Sequence, residues 1–440
     1  MMSNADRPRS SAHRPGLFEA FLARRAAIVT CAIAAMLPVA GCARCSGDAS
    51  GSGETSTRTE APLLPAPVTP PTAWSLATVR MPTGLAPPEH CRYRAELRAA
   101  TVPLTTHFAA DPRTPGLLVA AETSGEPKTV TRSGELTFAS STTVTPGAWV
   151  PWPDASSAPR LARLGDRWIG AWDVPRGGTT SEVVLFRGGA ATSLGEGDLY
   201  VTADLACGPT RCALLTSRRG RVAPAGADVL VLEADPKTPP RAIPLEPPEG
   251  ESAARPFGLA SLEGPRAPVA VLIDRGEAQF WSADLAGADA ASPVIAKLPA
   301  PHGVLDATLL GERAIVLANG NVVDEKGCAR EGSDIHGAKL QIVRAGDPSI
   351  EITAPGPPVL AALRPLKTGA IALWLSPLGC GAERRVLFGV VLDATGAPVG
   401  PPIPIGDADT FASASSGTDV DLWVRTQDRL AWMRLTCEPP

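Results

Sequence analysis

Residues 359–405 read VLAALRPLKTGAIALWLSPLGCGAERRVLFGVVLDATGAPVGPPIPI, and the order of apolar runs within them decides the fold. Val359–Leu363 is a short run of small residues, and Ala370–Leu375 is strongly apolar. Val386–Leu392 follows a polar loop, and Val399–Ile405 is a weak fourth run broken by Pro and Gly. Each run has strand length and Gly or Pro punctuates the gaps, as in antiparallel strands joined by tight turns. Pro159–Leu164, Arg167–Trp172, Ser181–Phe186 and Ala190–Leu194 repeat the same build. Working outward, further strands are expected at Gly116–Ala121, Leu199–Cys207, Cys212–Thr216, Asp228–Glu233, Pro268–Ile273 and Ala278–Trp281. Others are expected at Arg313–Ala318, Lys339–Val343, Asp421–Val424 and Arg429–Leu435. Almost no long run has helical period. The first strand of each unit begins near residue 107, 159, 199, 256, 304, 359 and 411, a step of about fifty residues.

A four-stranded unit at that period resembles the blade of a β-propeller. The resemblance implies an all-β body over residues 89–440, a seven-bladed β-propeller whose last blade is completed by the stretch Cys91–Leu104. Radial blades leave only short, protected sheet edges, which suits a β-rich body too large for one compact core. The period is irregular and no blade motif repeats, so tandem β-sandwich domains remain the competing arrangement. Trp172-Asp173 and Leu392-Asp393-Ala394-Thr395-Gly396 are similar to dipeptide and turn motifs of propeller families, each present once. Trp149, Trp152, Trp168 and Trp172 read as blade core, with Trp149 and Trp152 alternatively lining a binding face.

Composition agrees with many strands and turns. The chain has 440 residues, of which 42 are Gly and 46 Pro, more than a helical bundle tolerates. Net charge is −4, so no basic surface for nucleic acid is implied. Lysine occurs only at Lys128, Lys237, Lys297, Lys326, Lys339 and Lys367; the excess of arginine reads as a GC-rich genome rather than phosphate chemistry.

The N-terminus reads as an address. Arg7, Arg9, Arg14, Arg24 and Arg25 precede an uncharged stretch from Ala26 to Ala43, apolar over Ala26–Leu37, the pattern of a secretory signal. It ends in Val39-Ala40-Gly41-Cys42, which resembles the lipobox of bacterial lipoproteins. The resemblance implies a signal peptide over 1–41, removed before Cys42, and lipid (palmitate among the acyl chains) on Cys42. The implied location is the cell envelope, with the lipid anchor binding a membrane; Ala43 in place of Asp points to the outer rather than the inner membrane. Alternatives are a retained membrane helix and a plain cleaved signal. Residues 42–88 are rich in Gly, Ser, Thr and Pro and are expected to be a disordered, flexible tether, reaching some 30–40 Å from the lipid.

The body holds Cys91, Cys207, Cys212, Cys328, Cys380 and Cys437. An even number in an exported chain favours disulfides. Cys207 and Cys212 flank a Gly-Pro turn and are expected to staple a hairpin. Cys328 and Cys380 fall in equivalent loops of consecutive units and are expected to pair. Cys91 and Cys437, at opposite ends of the body, are expected to close the ring.

Catalytic motifs are absent from the sequence: there is no Gly-x-Ser-x-Gly elbow, phosphate loop, dinucleotide fingerprint or His-Glu-x-x-His. No cofactor is implied. His90, His107, His302 and His336 have no metal-pair spacing. The best polar cluster is Asn319–Gly337, where Asp324, Glu325, Asp334 and His336 are weak metal candidates beside the plainer reading of a solvated loop. Function is therefore expected to be non-enzymatic, binding or scaffolding a protein or glycan partner. The alternative is an envelope hydrolase or lyase whose carboxylates converge at the propeller mouth.

Overall fold

The computed structural model describes Ala77–Thr78 and most of residues 87–440. Residues 1–76 and 79–86, the segments 95–97, 102–105, 125–128, 139–143, 152–159, 219–225, 246–253, 284–293, 323–328 and 380–381, and shorter loop positions lie outside the described residues. The signal peptide, Cys42, Trp152, Asp324, Glu325, Cys328 and Cys380 therefore fall outside them.

The described chain is all-β. Seven sheets follow one another, each a meander of antiparallel neighbours. The first comprises Thr106–Ala110, Leu117–Ser124, Thr129–Phe138 and Val144–Pro151. The second comprises Arg160–Leu164, Arg167–Gly177, Thr180–Arg187 and Ala190–Gly197, and the third Val201–Cys207, Arg211–Arg218, Gly226–Glu233 and Arg241–Leu245. The fourth runs through Arg255–Ser261, Val269–Asp274, Glu277–Ser282 and Val294–Pro299. The fifth runs through Val304–Leu310, Arg313–Asn319, Lys339–Arg344 and Asp347–Thr353. The sixth holds Leu360–Leu366, Gly369–Pro377, Arg385–Leu392 and Ile403–Asp407, and the seventh Thr410–Ser416, Asp419–Thr426 and Arg429–Cys437. This is a β-propeller. Its innermost strands start within two residues of the positions expected from the sequence.

The seventh sheet is completed from the other end of the body. Cys91–Tyr93 and Arg98–Thr101 both pair antiparallel with Arg429–Cys437, placing Cys91 directly opposite Cys437. The two cysteines are joined, with Cα atoms 4.0 Å apart. The expected single closing strand is thus two short ones. Ala77–Thr78, within the segment read as tether, adds to their edge opposite Ala99 and Arg98.

The core lies between consecutive sheets, so the middle strands are buried on both faces. Gly369–Ser376 shows this along its whole length, which is why its sequence is an unbroken apolar run rather than an alternation. Ile371, Leu373 and Leu375 pack toward the seventh sheet with Val420, Leu422 and Leu435. On the other face Ala372 and Trp374 pack with Ile315, Leu317 and Leu340 of the fifth. Phe138 of the first sheet packs against Trp423 and Trp432 of the seventh, ring centroids 5.7 and 5.6 Å away. Trp172 is buried in the second sheet. Gly369 turns at φ 102°, and a Cβ there would sit 2.1 Å from the Leu392 carbonyl, so only glycine fits.

Candidate binding site in the propeller channel

The innermost strands bring polar residues to the middle of the propeller. In the third, fourth and fifth sheets the innermost strand shifts register at Thr202/Asp204, Pro256/Gly258 and Val304/Asp306. Such bulges re-aim the side chain that follows. Asp204, Gly258 and Asp306 occupy that place and line a channel cavity of 280 Å³ together with Arg113, Arg160 and Arg364.

Both channel carboxylates are tied to backbone. Asp204 accepts from the N–H of Leu205 at 2.9 Å and, across to the fourth sheet, from that of Leu259 at 2.9 Å. Asp306 repeats the arrangement from the fifth sheet to the sixth, accepting from Ala307 at 2.8 Å and Leu363 at 2.7 Å. Arg364 then pairs with Asp306 at 3.0 Å and donates through Nε to the Ser413 carbonyl of the seventh sheet at 3.1 Å. Burial pushes the Asp306 carboxyl above the usual carboxylate range, against the opposing pull of Arg364 and the N–H donors.

Two more aspartates, on second strands, join sheets in the same way. Asp173 accepts from the N–H of Thr202 at 3.0 and 3.1 Å and from its hydroxyl at 2.8 Å, linking the second sheet to the third. Burial raises its carboxyl too. Asp421 is fully buried; it accepts from the Gly116 N–H of the first sheet at 2.5 Å and pairs two-pronged with Arg434 at 2.5 and 2.8 Å. A buried carboxylate is stable only when its lone pairs are filled, and here the following sheet fills them. In the sequence Asp173 stands out only as half of a dipeptide, and Asp204, Asp306 and Asp421 do not stand out as site residues. The available signal was an Asp inside an apolar strand, a place that residue avoids unless partnered.

A second cavity, of 580 Å³, opens at the end of the sheets where first strands turn into second strands. Arg113 lies in that turn of the first sheet and Gly165 in that of the second. Gly208 and Gly311 hold the equivalent turns of the third and fifth. The Arg113 guanidinium borders both cavities and donates to the Leu259 carbonyl of the fourth sheet at 2.8 Å. Cys207 and Cys212 are joined across the third sheet's turn, stiffening one wall.

Of the weak metal candidates, Asp334 and His336 are placed away from this site, and Asp324 and Glu325 lie outside the described residues. Asn319–Gly337 follows a second strand, at the opposite end of the sheets, and includes a small hairpin of Ala329–Glu331 with Asp334–His336 rather than open loop throughout. No group of three potential metal ligands occurs among the described residues.

No family model matches the chain, and comparison with curated proteins finds no match. Among solved structures, it is similar to the β-propeller domain of the Trilobed protease from Pyrococcus furiosus, at 10% identity and TM-score 0.30, covering 74% of this chain and 79% of that one. An acylaminoacyl peptidase from Pyrococcus horikoshii gives 10% identity and TM-score 0.40 over 73% of this chain and 49% of that one. A subtype N10 neuraminidase-like protein of A/little yellow-shouldered bat/Guatemala gives 7% identity and TM-score 0.35 over 78% and 99%.

Proposed function

We propose that the protein is an envelope lipoprotein, anchored to a membrane through Cys42, whose propeller body binds or scaffolds a protein or glycan partner without chemistry of its own. One observation carries this reading: the channel carboxylates are engaged in holding sheets together. Asp204 and Asp306 each bridge two backbone N–H groups, and Asp306 also faces Arg364. A general acid or base must instead reach a proton of the substrate. The lipobox-like Val39-Ala40-Gly41-Cys42 supports the anchor.

The hydrolase or lyase reading draws on a specific observation too, since Asp204 and Asp306 share one cavity and burial raises Asp306. Affinity capture from envelope fractions with mass spectrometry separates the two. The binding reading expects one envelope component to be recovered reproducibly and left unaltered. Turnover of envelope polymer by the purified protein, or recovery of nothing above a tag control, overturns it.

A further inference from the structure

We propose that the channel cavity of 280 Å³ binds a small zwitterion, a molecule with one free ammonium and one free carboxylate. The inference goes beyond the reading above, which names only an envelope partner, by giving the channel a ligand of its own. Arg160 from the second sheet and Asp204 from the third line the same cavity. Asp204 accepts one backbone N–H on each oxygen, from Leu205 on Oδ1 and from Leu259 on Oδ2, and no cation pairs with it among the described residues. Its charge and its remaining lone pairs are open to a ligand. Arg160 is exposed; its charge reaches Asp173, but none of its N–H groups meets an acceptor among the described residues. Arg364 approaches from the sixth sheet. Its Nε donates to the Ser413 carbonyl at 3.1 Å, and its Nη1 to Asp306 at 3.0 Å and the Leu363 carbonyl at 3.1 Å. Those bonds fix the guanidinium and leave Nη2 without an acceptor among the described residues. Arg113, engaged with the Leu259 carbonyl, is not part of the ligand set.

Opposite charges that line one cavity without pairing fit a ligand carrying both. An anion alone would face an uncompensated Asp204, and a cation alone would face Arg160 and Arg364. A zwitterion meets both ends, its ammonium toward Asp204 and its carboxylate toward Arg160 and the Arg364 Nη2. Groups already held in place lower the ordering cost of binding. Gly258 keeps the acidic end uncovered, since the nearest atom to a Cβ there would be Asp204 Oδ2, at 3.6 Å. Phe257 and Leu305, both half-buried, give the lining an apolar side for an aliphatic group. At 280 Å³ the cavity falls below the roughly 300–1,000 Å³ of drug-sized pockets, which suits a ligand of few heavy atoms. The shared chemistry fits a free α-amino acid or a dipeptide with both ends free.

The test is isothermal titration of the full-length protein in detergent with leucine and leucyl-leucine, and the tighter of the two names the ligand. Its N-acetyl derivative, which lacks the ammonium, and its C-terminal amide, which lacks the carboxylate, should each bind at least about tenfold more weakly. Arg160→Gln should weaken the zwitterion roughly 10- to 100-fold while leaving the amide nearly unchanged, because the amide has no carboxylate to lose. Unchanged melting shows that variant to be folded, and the derivative series on wild type decides without any variant. Arg384→Gln, which opens the exposed pair with Asp407, should bind like wild type. No binding of either zwitterion at millimolar concentration, or a derivative that binds as well as its parent, overturns the site. An Arg160→Gln affinity equal to wild type overturns it too. If envelope capture succeeds while the zwitterions fail, only this site is rejected and the partner reading stands.

Discussion

Removing the Cys91–Cys437 bond by Cys91→Ala/Cys437→Ala should cost far more stability than removing Cys207–Cys212 in the same way. The first bond spans a sequence separation of 346 and the second one of 5. Chain entropy lost from the unfolded state grows with the logarithm of loop length, which gives about 6 kcal/mol for the long loop and about 2 kcal/mol for the short one. Local packing adds in the same direction. Cys437 is fully buried in the core between the sixth and seventh sheets, and Cys91 and Tyr93 pack against that core. The Tyr93 hydroxyl is pushed up to about 12 by burial there. Arg94 pairs with Asp419 at 2.5 Å, but the Arg94 end is largely exposed and the pair adds under about 1 kcal/mol. Equilibrium urea unfolding of the two double variants, under oxidising conditions, reads the difference. Equal losses, or a larger loss from Cys207→Ala/Cys212→Ala, would refute the idea that the terminal strands act as the closure of the propeller.

Asp421→Ala should destabilise by about 3 kcal/mol, because it strips Arg434 of its partner and orphans the Gly116 N–H; an urea midpoint within error of wild type would contradict this. Two carboxylates should give opposite pH dependence. The folded-state value of Asp306 is raised by burial, so its contribution is fully present below the unfolded value of about 4 and is lost as pH rises through the folded one. Burial pushes Asp393 up as well, but bonds from Thr395 and Ala397 outweigh it and leave the carboxyl low, so its contribution holds above the unfolded value and is lost as pH falls. Unfolding midpoints between pH 3 and 8 should therefore decline less with rising pH in Asp306→Asn than in wild type, and less with falling pH in Asp393→Asn. Cys42→Ser should abolish acylation and block normal signal removal; maturation to the same N-terminus with unchanged detergent partitioning would contradict the lipid anchor.

The architecture was legible because strand, turn and burial all write themselves locally. Gly369–Ser376 is apolar at nearly every position since neighbouring sheets cover both of its faces, and turn glycines such as Gly369 mark where it begins. The closing cysteines were legible for a different reason: a propeller sharing its last sheet between both ends must bring residues near 91 and 437 side by side. The channel was not legible. Asp204 and Leu259 lie 55 residues apart and Asp306 and Leu363 lie 57 apart, and each pairing is a carboxylate meeting a backbone N–H, which has no residue identity to read. The short hairpin of Ala329–Glu331 with Asp334–His336 is not legible either, because three-residue strands carry no measurable alternation.

The central claim, that the channel aspartates hold sheets together rather than act on a substrate, is tested most directly by hydrogen exchange with mass spectrometry. In wild type the amides of Leu259 and Leu363 should be protected. Asp204→Ala should speed exchange at Leu259 while leaving Leu363 slow, and Asp306→Ala should do the reverse. Protection unchanged at both amides in both variants would contradict the account.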